Sequence, residues 1–311
     1  MSDSEKSRRQ GKPTHGDNPS VTNPAGNPLA GNPNAAAAGT LPAAPSNVTV
    51  AETVPPAEMG AAIAADAAKK AKFPVSHLLV RGFLCTPFLG YGAAVVFAMV
   101  SAGIPLGAAG LIFPVGYVTL SFLGLEMATG SFAVMPIGLY AGTVTLWQLI
   151  RNWFWTLVGN LIGGIFFAWL LWFSLTYGGA VPPNPMLVHI AHVAEHKVAY
   201  SQFGIIGWCA AIGMGVLCNW LVSLGSVMSK SSRSTLGRAV LMWIPIGTFF
   251  ALGFEHTVVN MWLIPTGMFS GADVSIYQWW VWNQIPVTIG NILGAMVFNG
   301  TLWYYTHALN P

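Results

Sequence analysis

Two short passages set ionisable side chains among apolar neighbours. Phe254-Glu255-His256-Thr257 lies inside an apolar run over about 238–268, and Leu125-Glu126-Met127-Ala128-Thr129-Gly130 inside one over about 107–143. An imidazole changes charge near pH 6.5, so His256 can take up or hand on a proton, or favour a passing anion. Ionisable groups are expensive in such surroundings, which makes them functional candidates. Thr129 offers a hydroxyl to a substrate or to His256; the alternative is a helix cap. Glu255 is expected to hold backbone N–H groups beside His256 rather than to tune the ring. A third passage, His189-Ile190-Ala191-His192-Val193-Ala194-Glu195-His196, puts three imidazoles on one helix face, as metal ligands can be. It lacks the HExxH order. A solvated helix in a link, away from the other two passages, is the expectation, with no metal and no cofactor.

The elements that carry these residues follow from composition. The chain has 311 residues, 54% hydrophobic and 7% charged, against about 25% charged in soluble domains. That excludes an ordinary soluble enzyme. Beyond residue 77 the charged residues are Arg81, Glu126, Arg151, Glu195, Lys197, Lys230, Arg233, Arg238, Glu255 and Asp273. Cys85, Cys209 and Cys218 sit in apolar runs without metal or redox spacing. A net charge of +3, scattered along the chain, gives no nucleic-acid partner. Residues 1–54, rich in Asn, Pro, Ala and Gly, predict a disordered extension, and 55–72 an amphipathic surface helix closed by Lys69, Lys70 and Lys72. The remainder, 73–311, is expected to form an all-α membrane domain.

A span needs about 20 apolar residues. Six are expected, over about 78–103, 107–143, 152–176, 203–229, 238–268 and 281–306. The second and fifth are interrupted by Gly124, Glu126, Thr129, Gly130 and Pro136, and by Gly253, Glu255, His256 and Pro265. Both read as broken helices, whose irregular backbone is tolerated in a bilayer only where protein or a water-filled cavity satisfies it. The breaks match: Glu126 and Glu255 each precede a proline by ten residues, and Gly159-Asn160 pairs with Gly290-Asn291. Repeats over about 78–176 and 203–306 hold three spans each, so the second enters from the opposite side. An inverted repeat with a broken helix in each half points to a transport site near the midplane. Lysine and arginine bias places both termini in the cytoplasm of a plasma or bacterial inner membrane. Buried asparagines need hydrogen bonds. Asn160 and Asn291 are read as links between helices, and Asn219, Asn260 and Asn283 as pore-side candidates.

Gly253-Phe254-Glu255-His256-Thr257-Val258-Val259-Asn260-Met261, Leu125-Glu126-Met127-Ala128-Thr129-Gly130, Arg151-Asn152-Trp153, Cys218-Asn219-Trp220 and Asn283-Gln284-Ile285-Pro286 occur in one order across residues 55–306. In this pattern the chain resembles the formate/nitrite transporter family. The resemblance implies an aquaporin-like protomer in a homopentamer, embedded in a lipid bilayer. Its substrate would be a small monovalent anion such as nitrite or formate, moved with protons through a pH-dependent channel or proton-linked transporter. It implies that His256 is the central histidine facing Thr129. It also puts apolar constrictions at Phe113 with Phe249 and at Met127, and a charge pair at Glu126 with Arg151. Met127 departs from the leucine common at its position, and the long N-terminal head is unusual. Two other readings compete: an intramembrane metal-dependent protein built on His189, His192 and His196, and a neutral-solute pore.

Overall fold

The computed structural model describes residues 52–307. Most of the expected disordered extension, residues 1–51, lies outside the described residues. The described part of it, residues 52–54, runs antiparallel to 231–233, with Val54 N–H donating to Ser231 O and Arg233 N–H to Glu52 O.

The described residues form helices throughout. Helix α1 spans Pro56–Ala71, α2 Val75–Ser101, α3 Leu106–Phe122, α4 Ala128–Tyr140 and α5 Leu146–Thr176. The series then repeats as α6 Pro185–Val198, α7 Gly204–Met228, α8 Thr235–Ala251, α9 Thr257–Phe269 and α10 Ile276–His307. Four stretches among the described residues are long and apolar enough to cross a membrane: α2, α5, α10 and the run Pro185–Ser231 that contains α6 and α7. The interrupted runs are each two helices, α3 with α4 and α8 with α9.

Polar groups are set within a mostly apolar core, and apolar side chains also cover the surface. Glu126, Thr129, Asn160, Asn219, Glu255, His256, Asn260, Asn283 and Asn291 are buried, while Trp147, Phe154, Phe166, Trp169, Ile205 and Ile206 are exposed. Apolar side chains face outward and hydrogen-bonding groups inward, as a hydrocarbon surrounding demands. Small residues let the polar interior close. Helices α2 and α5 meet at Gly82 and Gly159, where a Cβ on Gly159 would lie 2.6 Å from Leu79 O. Helices α7 and α10 meet in the same way at Gly215 and Gly290, where a Cβ on Gly290 would lie 2.2 Å from Ile212 O.

Helices α1 and α6 are seated in matching ways. Helix α1 rests on α4, with Gly138 beside Ala67, and α6 rests on α9, with Gly267 beside Ala194. In both places an added Cβ would come within 2.4 Å of the alanine methyl. Gly267→Val is therefore expected to lift α6 and cost about 1–3 kcal/mol of stability, read as a lower midpoint of unfolding in detergent. Gly107→Ala, where a Cβ meets nothing within 4 Å, is the control expected to leave the midpoint in place. Equal midpoints for the two variants would contradict the seating of α6 on α9.

Candidate functional site

The site is built from the two breaks. Each is five residues long, Leu123-Gly124-Leu125-Glu126-Met127 and Leu252-Gly253-Phe254-Glu255-His256. Each turns at a left-handed glycine, Gly124 at φ 65° and Gly253 at φ 70°, a conformation that costs glycine little. The residue that restarts each helix is extended: Met127 at φ −112°, ψ 124° and His256 at φ −111°, ψ 116°.

Stopping a helix frees peptide groups that must find partners. One asparagine serves each break. Ala128 N–H donates to Asn160 Oδ1 at 3.0 Å, and Asn160 Nδ2 donates to Glu126 O at 3.1 Å and Gly82 O at 2.9 Å. In the second half Thr257 N–H donates to Asn291 Oδ1 at 3.0 Å, and Asn291 Nδ2 donates to Glu255 O at 2.9 Å and Gly215 O at 3.0 Å. The close Gly82–Gly159 and Gly215–Gly290 crossings bring each asparagine to its break. Both asparagines link helices, and in addition each satisfies the break itself.

The carboxylates are paired in matching fashion. Lys70, near the end of α1, donates to Glu126, and Lys197, near the end of α6, donates to Glu255 Oε2 at 2.8 Å. This corrects the expected pair of Glu126 with Arg151. Arg151 instead donates to Phe73 O at 2.8 Å, and Lys70 from α1 occupies the carboxylate. Glu255 also departs from its expected backbone role. It accepts from the side chains of Asn260 at 2.7 Å, Asn283 at 3.3 Å and Tyr200 at 3.4 Å.

Between the breaks, His256 and Thr129 meet. Thr129 Oγ1 lies 3.0 Å from His256 Nε2. His256 Nδ1 accepts the Val259 N–H at 3.0 Å, so the ring caps its own helix. An accepting Nδ1 carries no proton; the ring described by these bonds is neutral, with its hydrogen on Nε2 pointing at Thr129. The Thr129 hydroxyl hydrogen is then left to serve another acceptor. Both N-terminal helix ends, of α4 and α9, converge here, and such ends favour negative charge.

Phe113, Phe249 and Met127 are buried around this pair. The rings of Phe113 and Phe249 meet edge to face at 5.5 Å, and Phe249 stacks on His256 at 5.5 Å. Two cavities reach these elements. One, of about 530 Å³, reaches Phe249, Glu255 and His256. The other, of about 230 Å³, reaches Glu126 and Met127 and is lined by Lys69, Lys70, Arg81, Lys230 and Arg238. Asn219 donates to Thr129 O at 3.1 Å and Asn291 O at 2.8 Å, tying the two halves together behind the pair. Asn283 donates to Lys197 O and accepts from Asn260, so both belong to the Glu255 network.

The family profile described as formate/nitrite transporter matches residues 57–305. The chain belongs to the formate/nitrite transporter family. It is an integral, multi-pass membrane protein of a family of transporters. It is 34% identical over 268 residues to a probable formate transporter of Methanothermobacter thermautotrophicus, covering 81% of this chain and 96% of that one. It is 33% identical over 256 residues to the formate channel FocA of Haemophilus influenzae, covering 70% and 87%. Its fold is similar to a solved FNT family ion channel, with TM-score 0.70 at 25% identity over 80% of this chain and 98% of that one. It is also similar in fold to a pentameric formate channel with formate bound, with TM-score 0.62 at 23% identity over 76% and 98%.

In this family member the sequence reading missed Lys70 and Lys197. Each stands a few residues before a long apolar helix, and that repeated position was the available signal. Among the described residues no three His, Cys, Asp or Glu side chains gather as metal ligands. The histidine row is not remote from the breaks either: His189, His192 and His196 line the same cavity as His256.

Removing either asparagine should loosen its own break. In Asn291→Ala the Thr257 amide loses its acceptor, and hydrogen exchange there is expected to quicken about a hundredfold, the equivalent of one orphaned buried group. Asn299→Ala, which breaks bonds to Trp220 O and Ser223 Oγ elsewhere, should leave that amide unchanged. Identical exchange in both variants would contradict the assigned role of Asn291.

Proposed function

We propose that this chain is a pH-dependent channel or proton-linked transporter for a small monovalent anion, formate or nitrite. The observation that carries this reading is the His256–Thr129 contact, made where two helix N-termini meet and a cavity reaches His256. The names borne by its relatives support formate as the first substrate to try. An anion crossing the Phe113–Phe249 neck loses its water, and an unpaired buried ion costs several kcal/mol even after relaxation. The converging helix ends offset part of that cost on approach. The Thr129 hydroxyl hydrogen is placed to donate to the anion. Gaining a proton there would turn the anion into a neutral weak acid able to pass the apolar neck.

In this account His256 relays the proton. A proton arriving at Nδ1 breaks the bond from Val259 N–H and charges the ring, and one then leaves through Nε2 and Thr129; the capped ring returns once Nε2 regains a proton and Nδ1 gives its own up. The charged ring is thus a passing form and the capped neutral ring the resting one. The matching halves are read as an inverted repeat, since each carries three crossings counting a broken pair as one. Both termini then share a side, the cytoplasm by the excess of basic residues in the adjoining links. A homopentamer fits the exposed apolar flanks and the assembly of the structural relative with bound formate.

The test is uptake of formate and nitrite by proteoliposomes between pH 5 and 8, for the wild type and His256→Ala. Protons accompany the anion in this reading, so wild-type uptake rises as the outer pH falls. The variant is expected to lose that rise. Uptake of neither anion above that of empty liposomes would contradict the proposed function, and an unchanged acid rise in the variant would contradict the role of His256.

A further inference from the structure

The transport reading makes no use of His189, His192 and His196, yet all three line the larger cavity whose floor is Phe249 and His256. They stand at i, i+3 and i+7 on α6, one face of the helix. His192 and His196 are exposed, and His189 is half-buried with its ring 5.8 Å from Phe97. Helix α6 is thereby a wall of imidazoles over the entrance to the neck.

The other charged side chains of this cavity, Lys197 and Glu255, are paired with each other. They are joined at 2.8 Å and offset each other, with Tyr200 bonded to the same carboxylate. Helix α9, packed against α6, carries no titratable residue, and neither does Trp280–Gln284. From α2 the cavity receives Phe97 and Val100, while its titratable residues His77, Arg81, Cys85 and Tyr91 are outside the lining. On α6 itself Glu195 Oε2 lies 3.6 Å from His192 Nδ1, and Glu195 Oε1 accepts the Asp273 N–H. His192 therefore adds less net charge than the other two. His196, in the last turn of α6, is placed where a helix end favours a cation.

We propose that this histidine row makes the larger cavity a pH-dependent binding antechamber for small monovalent oxyanions. When its imidazoles are protonated the wall carries positive charge and concentrates the anion ahead of the Phe249–His256 floor. This acts on capture, whereas His256 acts on passage. The inference rests on the transport reading above.

The test compares wild type with the triple variant His189→Gln, His192→Gln, His196→Gln, in membranes of one orientation. Formate is offered from each side in turn at pH 5.5 and 7.5, over a concentration series. From the α6 side the wild-type KM is expected to be about fivefold lower at pH 5.5, the effect of a few unit charges in a wet cavity. In the triple variant this difference should vanish, while the pH profile of the maximal rate persists. From the other side the two proteins should agree. A second variant guards against misfolding: His196→Lys should lower the KM at pH 7.5 toward the acid value. A KM difference that survives in the triple variant, or an unmoved KM in His196→Lys, overturns the antechamber and leaves the transport reading intact. A wild type that carries no anion overturns the transport reading itself.

Discussion

Everything at this site depends on satisfying the peptide groups set free where two helices stop inside an apolar interior. A bilayer supplies no water to a broken helix, and an orphaned buried amide or carbonyl costs about 1–3 kcal/mol. Asn160 and Asn291 answer that constraint with one geometry used twice. Each accepts from the first amide of the restarted helix and donates to the carbonyl two residues earlier. Their reach depends in turn on glycine pairs that let α2 approach α5 and α7 approach α10. Close packing, hydrogen bonding and the break are therefore one structural unit.

Two halves built on the same frame diverge in what they place at its centre. Where the first break ends in Met127, the second ends in His256. The two breaks share their backbone turn and a lysine-paired carboxylate. The methionine supplies an apolar stop, and the imidazole supplies a polar ring held from both sides, by Val259 N–H and by Thr129. The lysines at the ends of α1 and α6 neutralise the break carboxylates, so that neither Glu126 nor Glu255 sits in the interior as an unpaired charge.

Much of this was legible in the sequence. The Glu–proline spacing and the Gly-Asn pairs located both breaks, because a glycine, a carboxylate and a proline cannot all be read into one continuous apolar helix. The partners of the carboxylates were not legible. Arg151 is the basic residue nearest the first break in the adjoining span, but partner choice depends on how α1 folds back, and that is decided by the Ala67–Gly138 contact. The same blindness moved the histidine row to a remote link. A link's length does not tell where its helix docks, and the small residues Ala194 and Gly267 that seat α6 on α9 look unremarkable in a chain this rich in both. Asn160 and Asn291 were recognised as helix links from the preceding glycine, while their bonds to the breaks required the third dimension.

The central claim is that His256 rests as a neutral ring with its proton on Nε2, fixed by the break that it ends. Nitrogen-15 spectra of the imidazole in lipid, assigned by comparison with His256→Ala, measure this directly at neutral pH. The account expects Nδ1 to show an unprotonated resonance and Nε2 a protonated one. A ring protonated on Nδ1, alone or together with Nε2, would contradict it.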